Sequence, residues 1–183
     1  MMPYVVLLVA ALSRLFPYAL HGVGLNFTAV GGGLLFFGSR RPRWQSAVAA
    51  GVMAATDVYL TTVIYRAPFH VSDYAVTWAW YAAVCLLGGA LLRRPSALRV
   101  GVAVLGSATS FFVLSNFVVW LTSGMYPPSA GGLATCFGAA LPFYGRDLAS
   151  TALTAGVLFG LPVVAHHVVT TWRLFERRRQ PVA

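Results

Sequence analysis

An aspartate inside a long apolar segment is the residue of this sequence that is best placed to do chemistry. Residues 44–65 read WQSAVAAGVMAATDVYLTTVIY, and Asp57 is their only charge. The segment is as long as the roughly 20 residues that a membrane-crossing helix needs. An ionisable group at such a depth is costly, so it normally faces the protein interior and has a partner. We expect that partner to be Arg14.

Arg14 and Asp57 have the same predicted depth. Each lies thirteen residues after the start of its predicted helix, at Met1 and Trp44 respectively. With a rise of 1.5 Å per residue, both lie about 20 Å from the cytoplasmic ends of their helices. We therefore predict an interhelical salt bridge in the outer half of the membrane. Such a pair either locks helices together or contacts a ligand, and the sequence is compatible with both roles.

Other polar and aromatic residues are predicted at the same outer end. The inner halves of predicted helices two to five are almost entirely apolar. A conducting pore needs polar groups along its whole path, so a pocket open to the outside is the better interpretation. Asn116 also fits a role in helix packing. Trp78, Trp80 and Tyr81 fit an interfacial aromatic belt, and the alternative for the tryptophans is a surface on which a ligand packs. The candidate substrate-binding residues are Arg14, Asn26, Asp57, Trp78, Asn116, Tyr126 and Asp147.

Motifs of enzymes and metal sites are not found in this sequence. It contains no Walker A loop, no GxSxG and no HExxH. Its three aspartates and one glutamate leave few candidates for acid–base chemistry. His166 and His167 are adjacent, and side chains about 100° apart on a helix do not readily share one metal ion. We expect no enzyme activity, no catalytic or metal-binding residue and no cofactor.

The composition is that of a membrane protein. Of 183 residues, 58% are hydrophobic and only 9% are charged, and the mean hydropathy is +0.75. Soluble domains have about 25% charged residues. The basic residues behind the net charge of +9 are all arginines, in short clusters between apolar segments. That arrangement is typical of cytoplasmic loops and does not indicate nucleic-acid binding.

The hydrophobic pattern predicts an all-α, polytopic membrane protein with six transmembrane helices. These helices cover about residues 1–16, 26–39, 44–65, 74–92, 100–122 and 147–172. A further segment, 129–141, reaches only about 20 Å as a helix, too short for a hydrocarbon core of about 30 Å. We expect it to be an interfacial or re-entrant helix between the last two spans, over the pocket mouth. Residues 1–172 form one predicted domain, and residues 173–183 form a basic cytoplasmic tail.

The arginines also predict the orientation in the membrane. Ten of the thirteen lie in the turn after helix two, in the turn after helix four and in the tail. Cytoplasmic loops collect positive charge, so both termini are expected on the cytoplasmic side.

Short motifs in a fixed order resemble those of a family of small, functionally uncharacterised bacterial membrane proteins. They are SRLFP at 13–17, NFT at 26–28, TD at 56–57, NF at 116–117 with Trp120, YP at 126–127 and AALPF at 139–143. That family in turn resembles the substrate-binding S components of energy-coupling-factor vitamin transporters. The resemblance implies six helices, both termini inside, a ligand pocket near the outer face and a place in the bacterial inner membrane.

The resemblance also implies a function and partners. The expected protein captures a small polar or vitamin-like solute for import. Its partners would be an energy-coupling transmembrane subunit and ATPases, besides membrane lipid. S components often dock that subunit through an alanine-rich face of the first helix, where this chain has Ala10 and Ala11. Ala47, Gly51 and Ala55 in helix three also have a spacing that favours close helix contact. The alternative is a non-transport accessory or assembly subunit of a larger membrane complex.

Overall fold

Six α-helices make up the part of the chain that the structure describes, and no strand occurs in that part. The computed structural model describes residues 1–15 and 27–179, without the side chains of 166–167 and 173–179. A 3-10 turn, Arg43–Gln45, precedes the third helix, and a π-helix, Leu60–Ile64, continues it. The predicted all-α class is confirmed. The helices are α1 (Met2–Ser13), α2 (Val30–Arg40), α3 (Ser46–Tyr59), α4 (Val71–Leu91), α5 (Ala97–Thr122) and α6 (Ala130–Arg179).

Four helical segments are long and apolar enough to cross a membrane. They are Arg43–Ile64, Val71–Leu91, Ala97–Thr122 and Ala130–Trp172. The helices α1 and α2 contain 12 and 11 residues. They are therefore only about 16–18 Å long, against a hydrocarbon core of about 30 Å. The fold is consistent with a membrane protein, and four of the six predicted spans have the required length.

The short helix α2 is the centre of the bundle. Every residue from Val30 to Ser39 is buried, and α2 packs against α1, α4, α5 and α6. A helix that is apolar on all sides is stable only when neighbours surround it. Leu34, Leu35 and Phe37 accordingly belong to the hydrophobic core and are fully buried. The longer helices are thus arranged around α2.

Two glycines let α2 and α4 approach until their backbones touch. A Cβ atom on Gly38 would lie 1.8 Å from the carbonyl oxygen of Cys85. A Cβ atom on Gly88 would lie 2.2 Å from the carbonyl oxygen of Leu35. Both distances are far below any van der Waals contact, so no larger residue fits at either position. These contacts determine how α2 crosses α4.

The last helix differs from the sequence prediction. The structure has one continuous helix of 50 residues, α6, in place of the short helix over 129–141 and a last helix over 147–172. The predicted break between them is wrong, because α6 passes through both Pro142 and Pro162. A proline removes one backbone hydrogen bond, but neighbouring helices allow prolines within membrane helices.

The first half of α6 lies antiparallel to α5. The Cys136 thiol donates to the carbonyl oxygen of Asn116 at 3.4 Å, and the hydroxyl oxygens of Tyr144 and Thr109 are 3.0 Å apart. Residues 129–141 are therefore not a separate cap over a pocket, since most of them form part of this helix pair. The described side chains between residues 161 and 172 are exposed.

We predict that Gly38→Ala and Gly88→Ala each destabilise the folded protein strongly. The added methyl group would overlap a backbone oxygen, and overpacking of this kind costs about 1–3 kcal/mol or more. Gly51→Ala is the matched control, since nothing lies within 4 Å of its added Cβ atom and alanine favours a helix. Thermal unfolding of the purified variants in detergent gives the comparison. Equal melting temperatures for all three would contradict this crossing of α2 and α4.

Candidate functional site

Arg14 and Asp57 form the predicted ion pair. Arg14 directly follows the last residue of α1, and its guanidinium group contacts Asp57 Oδ1 on α3. The same group donates a hydrogen bond to the carbonyl oxygen of Met53 at 3.4 Å. Asp57 is only 2% exposed. The salt bridge predicted from equal depth is confirmed, and it connects the end of α1 to α3.

Trp78 holds the second oxygen of the Asp57 carboxylate. Its indole nitrogen donates to Asp57 Oδ2 at 3.0 Å. The Trp78 ring stacks on Tyr74 and Phe69, with centroid distances of 6.2 and 6.3 Å. A hydrogen bond to an ionised acceptor is about twice as strong as a neutral one. Each oxygen of Asp57 therefore has a partner, and these partners come from the end of α1 and from α4.

A cavity of about 390 Å³, here called the main cavity, opens beside the ion pair. Its volume is within the range of small-molecule sites, about 300–1,000 Å³. Each of the six helices contributes to its wall, either directly or through a residue next to its end. The lining residues are Arg14, Thr28, Val30, Asp57, Leu60, Thr61, Tyr65, Tyr74, Trp80, Tyr81, Phe111, Phe143 and Asp147.

The main cavity lies at the end of the bundle that is opposite the two arginine-rich turns, here called the basic turns. They contain or adjoin Arg40, Arg41 and Arg43 before α3 and Arg93, Arg94 and Arg99 before α5. In α2 its wall includes Val30, the first residue, whereas Arg40 is the last residue. In α4 its wall includes Tyr74 near the start, whereas Arg93 follows the end of that helix. The cavity thus occupies the end at which the sequence places its polar residues.

A π-helix forms part of the cavity wall. The Tyr65 amide donates to the carbonyl oxygen of Leu60, five residues earlier, at 2.8 Å. Leu60, Thr61 and Tyr65 all line the cavity, and the Thr61 hydroxyl lies 2.6 Å from that of Tyr74. Single-turn π-helices within α-helices occur frequently at functional sites. This irregularity directly after α3 therefore favours a binding role for the cavity.

Asp147 is the second acidic residue of the cavity, and its surroundings differ from those of Asp57. It lies on α6 and is half-buried. Within the described residues, its carboxylate has neither an ion pair nor a hydrogen bond. Asp147 also lines a second cavity of about 210 Å³, and Phe111 and Phe143 line both. An ionisable residue at membrane depth is a candidate functional group.

Three of the other predicted site residues are described by the structure, and none of the three lines the main cavity. Trp78 contacts two lining residues, Asp57 and Tyr74, without lining the cavity itself. Asn116 lines the second cavity and donates its side-chain amide to the carbonyl of Phe112 at 2.7 Å. Tyr126 lies in the connection between α5 and α6 and lines neither cavity. Asn26 lies outside the described residues. The predicted residues that line the main cavity are Arg14, Asp57 and Asp147.

Sequence reasoning misses the aromatic wall of the main cavity. Trp80 and Tyr81 are 5% and 4% exposed, so the aromatic-belt interpretation is wrong for these two residues. The Trp80 indole donates to Ser110 Oγ at 3.0 Å, which ties α4 to α5. Sequence reasoning also does not single out Thr61 as a lining residue. Its spacing could have indicated it, because Thr61 lies four residues after Asp57 and so on the same helix face.

The lining is chemically suited to reversible binding. It combines one ion pair, one carboxylate that has no partner among the described residues, several hydroxyl groups and six aromatic rings. Among the described residues, no cluster of three or more His, Cys, Asp or Glu side chains is available to hold a metal ion. Charge, hydrogen bonds and stacking are the interactions that this cavity offers to a ligand.

The fold and the site define a class, an α-helical bundle in which four helical segments are long and apolar enough to cross a membrane, with a ligand-sized, partly polar cavity. Within that class, the chain belongs to the family described as family of unknown function DUF6580, which matches residues 1–172. No curated protein and no solved structure matches the chain. All residues that line the main cavity lie within the matched region.

We predict that Asp57→Asn destabilises the protein more than the double change of Arg14→Met with Asp57→Leu. The single change leaves the Arg14 charge buried without its counter-ion, which typically costs about 3–5 kcal/mol. The double change removes both charges, and replacing a buried pair by apolar residues is often nearly neutral. Thermal melts of the purified variants in detergent measure the difference.

Trp78→Phe serves as the control for that comparison. In the wild-type protein it removes one hydrogen bond to a charged group, which is worth about 1.5–3 kcal/mol. In the double variant it should have a much smaller effect, because no carboxylate remains there to accept the bond. Strictly additive effects of Arg14→Met and Asp57→Leu would show that the two residues are not coupled and would contradict the ion pair.

Proposed function

We propose that this protein is a membrane subunit that captures a small solute in an outward-facing pocket for import. The observation that carries this proposal is the main cavity, about 390 Å³ in volume, to which all six helices contribute. Ligand sites commonly lie between the helices of a bundle. The polar groups lie at one end of the bundle, as expected for a pocket and not for a channel.

In this proposal the chain crosses the membrane six times, with both termini in the cytoplasm. Six arginines lie within or next to the turns before α3 and before α5. The main cavity lies at the opposite end, so the positive-inside rule places its mouth outside. A bilayer can thin locally around helices as short as α1 and α2. The arginines of these turns are Arg40, Arg41, Arg43, Arg93, Arg94 and Arg99.

The sixth crossing in this proposal is the first part of α6, over residues 130–159. The Phe159 ring contacts that of Phe36, with centroids 5.4 Å apart, near the basic end of α2. The later part of α6 then extends into the cytoplasm together with the arginines of the tail. That placement agrees with the positive-inside rule, and it requires no separate re-entrant helix.

The proposed role is that of an S component, in the bacterial inner membrane, with an energy-coupling transmembrane subunit and ATPases as partners. Ala10 and Ala11 are not available for docking, since both are buried in the bundle. Ala47, Gly51 and Ala55 are exposed on α3, and no atom lies within 4 Å of a Cβ placed on Gly51. A face of small residues allows close contact with a helix of a partner subunit.

A second candidate function is that of an accessory or assembly subunit of a larger membrane complex. The same exposed small-residue face of α3 favours it, because such a face suits permanent as well as transient helix contacts. Co-purification of a stable complex, without any retained small molecule, would favour this second function.

We predict that a reporter fused after Ala183 lies in the cytoplasm, so that a fluorescent protein is active there and alkaline phosphatase is not. The reason is the concentration of arginines on the side of the termini. Paired alkaline phosphatase and fluorescent-protein fusions measure the location, and the same pair inserted after Met125 should report the opposite side. A fusion after Ala183 that is active only outside the cytoplasm would contradict the proposed topology.

We predict that the purified protein retains a small molecule and that Thr28→Phe reduces its occupancy strongly. Thr28 lines the main cavity, so a phenyl ring at this position occupies part of its volume. Thr122→Phe is the matched control, because Thr122 is exposed at the end of α5 and does not line the cavity. Native mass spectrometry of the three proteins measures the occupancy.

The control decides how a loss of the retained molecule is interpreted. If the retained molecule is lost from Thr28→Phe but not from Thr122→Phe, it is bound in the main cavity. Equal retention in both variants would place the molecule elsewhere and would contradict the proposed pocket. Absence of any bound molecule in the wild-type protein, together with a stable partner complex, would favour the accessory function.

A further inference from the structure

The charges that line the main cavity do not balance. Its described lining contains one basic residue, Arg14, and two acidic residues, Asp57 and Asp147. Arg14 and Asp57 neutralise each other. Arg146 is exposed and does not belong to the lining. Residues 16–26 contain no Asp, Glu, Lys or Arg, and their one histidine, His21, counts as neutral at pH 7. Asp147 therefore gives the main cavity a net negative charge.

Aromatic rings share the cavity wall with this charge. Phe111 and Phe143 line both cavities that Asp147 lines. Trp80 packs on Phe111 with 4.7 Å between ring centroids, and its indole N–H is already bonded to Ser110. The faces of such rings attract organic cations, and tryptophan does so most strongly. The wall near Asp147 thus combines a negative charge with surfaces that suit a weakly hydrated positive group.

We infer that the solute of this pocket is a small organic cation, a protonated amine or quaternary ammonium group on an apolar or aromatic body. Its cationic group pairs with the Asp147 carboxylate, and its body packs on Phe111, Phe143 and Trp80. The inference rests on the proposed solute-binding function and adds the charge class of the solute.

Other classes of solute fit the lining less well. An anion needs a free basic group, and Arg14 is already paired with Asp57. A neutral solute leaves the half-buried charge of Asp147 without a partner, which is unfavourable once water is displaced. Calcium prefers six to eight oxygen ligands, and the described residues contain no group of three or more His, Cys, Asp or Glu side chains that could hold a metal ion.

Three probes that share a benzyl group and differ in charge test this inference. They are benzyltrimethylammonium, benzyl alcohol and phenylacetate. Equilibrium dialysis against the full-length protein in nanodiscs of zwitterionic lipid measures their binding, with empty nanodiscs as the blank. We expect saturable binding of benzyltrimethylammonium and not of the other two. Asp147→Asn should weaken that binding by about tenfold or more, because it removes the carboxylate of the described lining that has no counter-ion.

Matched variants separate a local contact from a general charge effect. Asp73→Asn makes the same change of charge at the exposed start of α4. Asp73 does not line the main cavity, but it lines a neighbouring cavity of about 120 Å³ with Trp80 and Phe111, so this control tests whether Asp147 in particular holds the cation. The Asp73→Asn variant should bind benzyltrimethylammonium as the wild type does. Asp147→Glu keeps the charge and should retain most of the affinity. Size-exclusion profiles and thermal melts show which variants are folded. If a variant does not fold, the relative binding of the three probes to the wild-type protein still tests the inference.

The outcomes distinguish this inference from the function on which it rests. Cation binding that is lost in Asp147→Asn and kept in Asp73→Asn supports both. Three results would contradict the cationic solute but not the solute pocket. They are preferred binding of benzyl alcohol or phenylacetate, wild-type binding by Asp147→Asn, and a retained molecule without positive charge. Failure of all three probes, with no retained molecule in native mass spectrometry, would overturn both.

Discussion

The buried carboxylate of Asp57 is the constraint on which the arrangement of the site depends. At 2% exposure it has no access to bulk water, so its charge must be satisfied within the protein. Arg14 at the end of α1 and Trp78 on α4 each take one oxygen. Three helices are thereby held at a fixed level relative to one another. Such a pair does not by itself make a protein more stable than an apolar core would. Its effect here is to fix the geometry of the wall beside the main cavity.

The position of the cavity follows from the length and packing of α2. This helix has 11 residues, whereas α4 and α5 have 21 and 26. Towards the basic turns, Gly38 and Gly88 bring the backbones of α2 and α4 into contact, so no space remains between them there. At the other end α2 begins only at Val30, which is itself part of the cavity wall. Small residues at one end and a short central helix together leave room for the main cavity at the other end.

The sequence predicts the features that depend on regular helix geometry. A constant rise per residue is sufficient to place Arg14 and Asp57 at one level, and the structure pairs them. It is not sufficient at Pro142, where packing of α6 against α5 maintains a helix that the proline alone would interrupt. Nor does composition distinguish a tryptophan at the lipid interface from one in the core. Trp80 is buried because its face of α4 meets α5 and Ser110 accepts its N–H, and those contacts depend on tertiary structure. The cavity itself, which six helices form together, has no signature in any single segment.

The two acidic residues of the cavity illustrate how identical side chains acquire different roles. The protein already supplies a partner to each oxygen of Asp57, so its charge is largely compensated before any ligand binds. The ion pair is therefore better suited to shaping the pocket than to contacting a solute. Asp147 has no such partner among the described residues, and Phe111 and Phe143 line the same cavities. A solute with a positive charge at this point neutralises the Asp147 carboxylate. A solute without one displaces water and leaves that carboxylate buried without a counter-ion. Because discrimination is a difference between two binding free energies, the penalty against the wrong solute contributes as much as the attraction of the right one.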